Sequence, residues 1–166
     1  MSNTKIVNFM SKQYELDDLD KKILSVLMSN SKTTYAEIAK KLFVSAGTIH
    51  VRMNKLMNVG IIKGAQLIVD ESKLGYDICA YIGVYLDKSS MYERVADALT
   101  GIPEIIEAHY TTGLYNIFAK IICKDTKHLR DVLHRKIQNI PGIQRTETFI
   151  SLEKTVERPI NLLKIP

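Results

Sequence analysis

Apolar residues in the first third of the chain recur at helical spacing. Leu19, Ile23 and Leu27 fall at i, i+4 and i+8, with Leu24 and Val26 widening the stripe, and Asp17 and Asp18 supply caps for a helix over 17–28. Ser29-Asn30-Ser31 ends it. Thr34 and Glu37 form a Thr-x-x-Glu capping box that opens a second helix with Ile38, Ala39 and Leu42 inward. Ser45 caps a third, reaching about Val59, with Gly60 placed to stop it and Ile49, Met53, Leu56 and Met57 as its apolar face. Two short helices joined by a tight turn, the second opening on small residues, predict a helix-turn-helix. Ile61 to Val69, interrupted by Gly64, predicts a short strand pair beside the bundle, which would make the domain winged.

The period then changes. Ile78–Asp87 is rich in β-formers, and Tyr81, Gly83 and Tyr85 alternate with Ile82, Val84 and Leu86. Ser90 and Glu93 predict another capping box, for a helix to about Thr100 that buries Val95, Ala98 and Leu99. Strands follow at Ile105–Thr111 and Tyr115–Cys123 around a Thr112-Gly113-Leu114 turn. Asp125 and Thr126 cap a helix through Asn139 with Leu129, Val132, Leu133 and Ile137 inward, and Ile143–Leu152 is the last strand. Each helix is followed by nearly the same tetrapeptide, Ile102-Pro103-Glu104-Ile105 and Ile140-Pro141-Gly142-Ile143. The order is β-α-β-β-α-β, a ferredoxin-like split arrangement. The expected class is α+β: an extension at 1–15, a winged helix-turn-helix at 16–63, a wing or linker strand at 64–76, the βαββαβ domain at 77–153 and a tail at 154–166. Both helices would cover one face of the sheet. The other face is also substantially apolar, and a second copy of the chain is the economical cover.

Composition adds little until the charge is located. With 46% hydrophobic and 25% charged residues, the chain has the balance of a folded soluble protein. The longest apolar run, Ile78–Leu86, is too short to span a bilayer, and Ile6–Met10 is too brief for a secretory segment, so a cytoplasmic protein is expected. Cys79 and Cys123 lie in strand-like segments without a Cys-x-x-Cys pair, and the four histidines lack tight ligand spacing, so no metal is expected. Residues 32–63 carry Lys32, Lys40, Lys41, Arg52, Lys55 and Lys63 against Glu37 alone, a surplus equal to the +5 of the whole molecule. Such a stretch suits a polyanionic partner.

At about 100° per residue, Gly47, Thr48, Val51, Asn54, Lys55 and Asn58 point away from the apolar side of the third helix, with His50 and Arg52 on its flanks. Small residues at its start, Ser45 to Thr48, let a backbone approach duplex DNA closely. Arg52 and Lys55 would meet phosphates, while Thr48, His50, Val51 and Asn54 are candidates for base edges, Val51 against a thymine methyl. Thr34 and Tyr35, at the start of the preceding helix, complete the predicted DNA-contacting set.

A helix-turn-helix followed by this α/β module resembles the Lrp/AsnC, or feast/famine, regulators from about Leu16 to Glu153. The residues that carry the likeness are 19–24 (LDKKIL), 35–40 (YAEIAK), 44–52 (VSAGTIHVR), 60–64 (GIIKG), 74–77 (LGYD), 110–118 (YTTGLYNIF) and 146–148 (TET). The wording is nearest the asparagine-responsive branch. The resemblance implies a transcription regulator that binds double-stranded DNA with pairs of reading heads and dimerises through its α/β domains. It implies assembly to octamers or larger discs, and a small amino acid bound between dimers. It places the effector at Tyr110, Thr111, Thr112, Gly113 and Tyr115, facing Gln138, Gln144 and Thr146 of a neighbouring subunit. The glutamines and Thr146 suit a side-chain amide, so asparagine is the expected effector; no cofactor is expected besides. Two departures stand out: Ala46 where many relatives carry proline, and Leu114 at an often polar loop position. The extension before Leu16, with Lys5 and Lys12, is expected to brush DNA.

Two other readings compete. Siroheme decarboxylases resemble the same architecture and need histidine and basic contacts to a tetrapyrrole, for which His109 is the candidate. No Ser/His/Asp, Cys/His or paired-carboxylate constellation appears, however, and the basic helix is intact, so no enzyme is expected. A pure assembly module that never touches DNA would show little salt dependence in any nucleic-acid association.

Overall fold

The structure is a computed structural model that describes residues 14–164. The extension's Lys5 and Lys12 lie outside them. The chain divides into two compact units, one built from the segment up to Leu67 together with the C-terminal residues from Glu157, the other spanning Ile68–Val156.

The first unit holds three helices, α1 (Asp18–Ser29), α2 (Tyr35–Leu42) and α3 (Ala46–Asn58). Each is capped where the side chains predicted. The Asp17 carboxylate accepts from the Asp20 amide, Thr34 and Glu37 close a reciprocal capping box, and Ser45 accepts from the Thr48 amide. Ile23, Ile38, Ala39, Ile49 and Met53 form the core, with Leu19, Leu27, Leu42 and Ile62 packed around it. Met57, expected inward, is exposed. Ile61–Val69 carries no strand, contrary to the expected strand pair. The amides of Ile61 and Ile62 both donate to the Leu56 carbonyl (3.0 and 3.1 Å), so the chain turns back over the end of α3 instead. Beyond it Leu67 and Ile68 stand exposed.

The second unit is β1 (Ile78–Leu86), α4 (Tyr92–Thr100), β2 (Ile105–Tyr110), β3 (Ile117–Cys123), α5 (Thr126–Asp131) and β4 (Ile143–Ile150). The sheet is antiparallel in the order β2-β3-β1-β4, the ferredoxin-like arrangement. Ala80, Ile82, Val84 and Leu86 of β1 and Ile117, Ile121 and Cys123 of β3 pack against Val95, Leu99, Leu129, Val132 and Ile137 from the helices. The repeated tetrapeptides work alike: Ile102 and Ile140 are buried, and in each the second isoleucine's amide donates back to the first one's carbonyl (3.0 and 3.2 Å). Two details of the helices depart from expectation. A 3₁₀ turn at Ser89–Met91 precedes α4, whose N-terminus has no side-chain cap, so the Ser90/Glu93 box does not form, and Ala98 is exposed. The last helix is α only to Asp131 and continues as a π-turn through Ile137. None of the described helices is long and apolar enough to cross a membrane.

Candidate nucleic-acid interface and effector loop

The basic stretch has one acid, Glu37, and the fold fixes it at a helix start. Its carboxylate accepts from the Thr34 amide and hydroxyl, both at 2.8 Å, and these bonds, the amide's foremost, hold it below the ordinary carboxylate range. Beside it, Ser45, Ala46, Gly47, His50, Val51, Asn54 and Lys55 are exposed on α3, with Thr48 half-buried. Thr48 shares its hydroxyl with Ser45 (2.9 Å). His50 Nδ1 lies 3.1 Å from the Asn54 amide nitrogen, and the Tyr35 ring meets the imidazole edge-on with centroids 6.0 Å apart. Val51 is 66% exposed, and a Cβ on Gly47 would meet only the Ser45 hydroxyl, at 3.7 Å. The chain's own packing therefore requires neither the exposed valine nor the glycine.

Arg52 departs from the expectation that it reaches outward to phosphate. Its guanidinium pairs with Asp17 and, at 3.2 Å, with Asp20, whose side chain is fully buried. Asp17 is held low in pKa by the Asp20 backbone amide and then by Arg52. Tyr14 completes the group: its hydroxyl donates to Asp20 at 2.6 Å, and Lys55 Nζ sits 4.4 Å from its ring centroid. From the sequence Asp17 reads as a cap, Asp20 only as part of the 19–24 stretch, and Tyr14 has no role. The available signal was the position of Asp20, three and seven residues before Ile23 and Leu27, which puts a carboxylate on the inward stripe, where it needs a partner.

The predicted effector residues fall into two groups. In the loop after β2, the Thr111 hydroxyl donates to the Tyr115 carbonyl and its amide to Asn116 (3.0 Å). Asn116 in turn donates its amide to Val84 and accepts from the Leu86 amide, each at 2.9 Å, tying the loop to β1. Thr112, Gly113 and Leu114 are left exposed at the tip, and a Cβ on Gly113 would meet nothing within 4 Å. The second group gathers at β4. Gln138 approaches the Thr146 hydroxyl at 3.4 Å, and Gln144 is the residue skipped where the β1–β4 register shifts, a bulge that turns it out to solvent. Among the described residues no hydrogen bond joins Thr111–Gly113 to Gln138, Gln144 or Thr146. Tyr110 stands apart, its ring 4.3 Å from that of Tyr92 at a groove of about 360 Å³ between α4 and the edge strand β2.

Tyr115 links loop to sheet. Its ring lies across Gly83, where a Cβ would come within 2.3 Å, and its hydroxyl donates to Glu147 at 2.8 Å. Tyr85 also donates to Glu147, and Arg145 both pairs with it (2.7 Å) and covers the Tyr85 ring. The Tyr115 hydroxyl first, with Tyr85 and Arg145, holds Glu147 low in pKa. With Tyr81, Phe118 and Phe149, these residues make the face opposite the helices a continuous aromatic surface. His109, the candidate tetrapyrrole contact, is exposed on the edge strand and bonded to Glu107 (2.6 Å). Among the described residues no three histidines, cysteines or acids cluster as a metal site.

Comparison with known proteins fits both units. Residues 16–63 match the winged helix-turn-helix DNA-binding family, and residues 79–160 the Lrp/AsnC ligand binding domain. The chain is 48% identical to regulatory protein AsnC of Haemophilus influenzae over 147 residues, 89% of this chain and 98% of that one. It is 46% identical to regulatory protein AsnC of Escherichia coli K12, over 89% of this chain and 97% of that one. The structure of E. coli AsnC superposes with a TM-score of 0.86 at 44% identity, covering 89% of this chain and 99% of the other. A DNA-reading helical unit, a separate α/β unit and relatives at this identity over nearly the whole length agree: the chain belongs to the Lrp/AsnC family of DNA-binding transcriptional regulators.

Proposed function

We propose that the protein reads a specific duplex sequence with the exposed face of α3 and the start of α2, and that asparagine, bound at the 111–116 loop, changes its assembly or its affinity for DNA. The resulting switch would control genes of amino-acid metabolism in the cytoplasm. The observation that carries the DNA reading is a surface the fold itself does not need: Gly47 without internal contact, Val51 exposed, and Ser45 and Thr48 capped and ordered beside them. Small groups at a helix start, an outward methyl-bearing side chain and Lys55 on the same side suit a major groove and its phosphates. Thr34 and Tyr35 bring the start of α2 to the same side.

For the effector, the outward Thr112–Gly113 backbone, in a loop tied down at Thr111 and Asn116, offers amides and carbonyls to an ammonium and a carboxylate, with Gly113 allowing close approach. Gln138, Gln144 and Thr146 of a neighbouring copy would read a side-chain amide. The aromatic sheet face is the dimer contact in this reading, and dimers join into octamers or larger discs around the effector loops.

Isothermal titration of the full chain against all twenty amino acids, with light scattering on the same samples, tests the effector. Asparagine is expected to bind and to shift the mass distribution. Silence from asparagine with a response to another amino acid would reject the assignment. Duplex selection from a random pool tests the DNA reading. The enriched duplex should bind with a logarithmic salt slope of about −0.9 per phosphate neutralised, and Thr48→Ala or Val51→Ala should relax base preference with that slope unchanged.

A further inference from the structure

We infer that Asp20, assisted by Asp17 and Tyr14, is a positioning residue for DNA reading, acting through Arg52 to set the rotation and axial position of the recognition helix α3. The inference rests on α3 being the reading helix. Apart from its caps, the edge contact of His50 with Tyr35 and the Arg52 group, α3 is held in the unit by apolar contacts from Ile49, Met53 and Leu56. Such contacts are not directional and leave a helix free to roll or slide by fractions of an ångström. Base readout cannot tolerate that freedom, because a misplaced side chain loses its hydrogen-bond or methyl contact.

Arg52 supplies the direction. It lies one residue after Val51 and four after Thr48, on the flank between the buried stripe and the exposed face, with 29% of its side chain exposed. One guanidinium nitrogen serves both Asp17 and Asp20. Asp20 is fully buried and both of its oxygens are used: Oδ1 accepts from Arg52 at 3.2 Å, while Oδ2 accepts from the Tyr14 hydroxyl at 2.6 Å and the Asp17 amide at 3.4 Å. The same two aspartates cap α1 reciprocally. The start of α1, fixed by its own capping, thus becomes the anchor for a point midway along α3. Tyr14 extends the anchor to the next turn of α3, since Lys55 rests over its ring. A phosphate drawn to Arg52 would have to approach two carboxylates, which repel it. The two cations of the helix therefore divide the work, Arg52 clamping inward and Lys55 facing out.

The test uses the full-length protein, a duplex enriched from a random pool, and a shuffled duplex of the same composition. Dissociation constants for both are measured against salt for Arg52→Gln, Arg52→Lys, Asp20→Asn, the Arg52→Gln/Asp20→Asn double variant and Tyr14→Phe, with melting followed by circular dichroism. Arg52→Gln and Asp20→Asn are each expected to cut the enriched-to-shuffled preference about tenfold, with affinity for the shuffled duplex and the salt slope unchanged. The double variant should be no worse than the poorer single one, since both break one interaction. Tyr14→Phe removes a single hydroxyl, so it tests the clamp even where Asp20→Asn fails to fold, and it should cost two- to threefold in preference. Arg52→Lys keeps the charge but replaces the planar guanidinium, whose one nitrogen reaches both carboxylates, by a shorter side chain ending in a freely rotating ammonium, and should still lose preference.

The proposal is overturned if Arg52→Gln weakens both duplexes equally while the slope falls by about one phosphate, if Arg52→Lys behaves as the parent, or if the two single effects simply add. Preference that responds to Thr48→Ala and Val51→Ala but not to Arg52→Gln rejects the clamp alone. Preference indifferent to all of these rejects the reading face, and the clamp with it.

Discussion

Phe43 closes α2 with φ 56° and ψ 42°, the only left-handed non-glycine among the described residues, and its ring is 95% exposed. The conformation turns the next amide, that of Val44, back onto the Ala39 carbonyl (3.0 Å) and makes the turn into α3. A side chain there costs roughly 1–2 kcal/mol, and this one recovers nothing by burial. Phe43→Gly should therefore stabilise the helical unit by about 1 kcal/mol after glycine's own entropic cost, seen as a higher urea midpoint. An unchanged or lower midpoint would mean that the ring has contacts worth keeping. At the opposite pole, Ile23 is wholly buried among Ile38, Ile49 and Met53, and Ile23→Ala should cost about 3 kcal/mol by the same measurement. Legibility divides along the same line. Ile23 announced itself by spacing, and Thr34 and Ser45 by local capping chemistry. The engagement of Arg52 could not be read from α3 alone, because its partners lie 32 and 35 residues away, on α1.

Among the elements, those whose signals are local came through: three capped helices, four strands within about two residues of expectation, and the twin Ile-Pro turns. What failed depends on what lies across the chain. The expected strand pair at 61–69 had β-forming residues and a glycine, but the amides that would open it, those of Ile61 and Ile62, are taken by the Leu56 carbonyl at the end of α3. The π-turn at Val132–Ile137 is an adjustment within a helix whose inward residues were correctly read, apart from the half-buried Leu133. That segment is anchored by Glu104, from the turn before β2, which accepts from Lys136 (2.7 and 2.9 Å) and His128 (3.1 Å). Burial pushes the Glu104 carboxyl up, but the bonds from Lys136, its own backbone amide and His128 outweigh it and leave the pKa below its ordinary 4.5. A carboxylate lowered on folding stabilises above its unfolded pKa, and that contribution disappears as pH falls through the folded value. The α/β unit should thus lose stability below about pH 4.5, and Glu104→Gln should flatten that part of the profile in urea melts. A profile equally steep in the variant would assign the acid sensitivity to other carboxylates.

For the whole molecule, the decisive feature is the side of the sheet that the helices leave bare. Tyr81 and Phe118 stack there with centroids 5.7 Å apart, Tyr115 and Phe149 extend the surface, and Phe149 is 46% exposed. Alternation in β1 made both faces of the sheet legible as apolar. It could not show that Glu147, with its tyrosine and arginine partners, forms a polar centre within the aromatic surface. An apolar face of this extent on a separate unit is stable in water when covered, and a second copy related by twofold symmetry brings a matching polar centre and matching rings. Phe149 lies beside that centre without hydrogen-bonding to it, so changing it tests the contact while leaving the Glu147 group in place. Phe149→Glu would set a carboxylate amid the opposing rings and should raise the dimer dissociation constant thirtyfold or more, on the order of a central interface residue. Light scattering across a dilution series should show the parent at twice the chain mass or a multiple of it, and the variant falling to a single chain at concentrations where the parent holds together. Identical masses throughout, with circular dichroism showing both folded, would mean that assembly uses another surface; the 111–116 loop, joined to this face through Tyr115, would then have no direct route to the assembly contact.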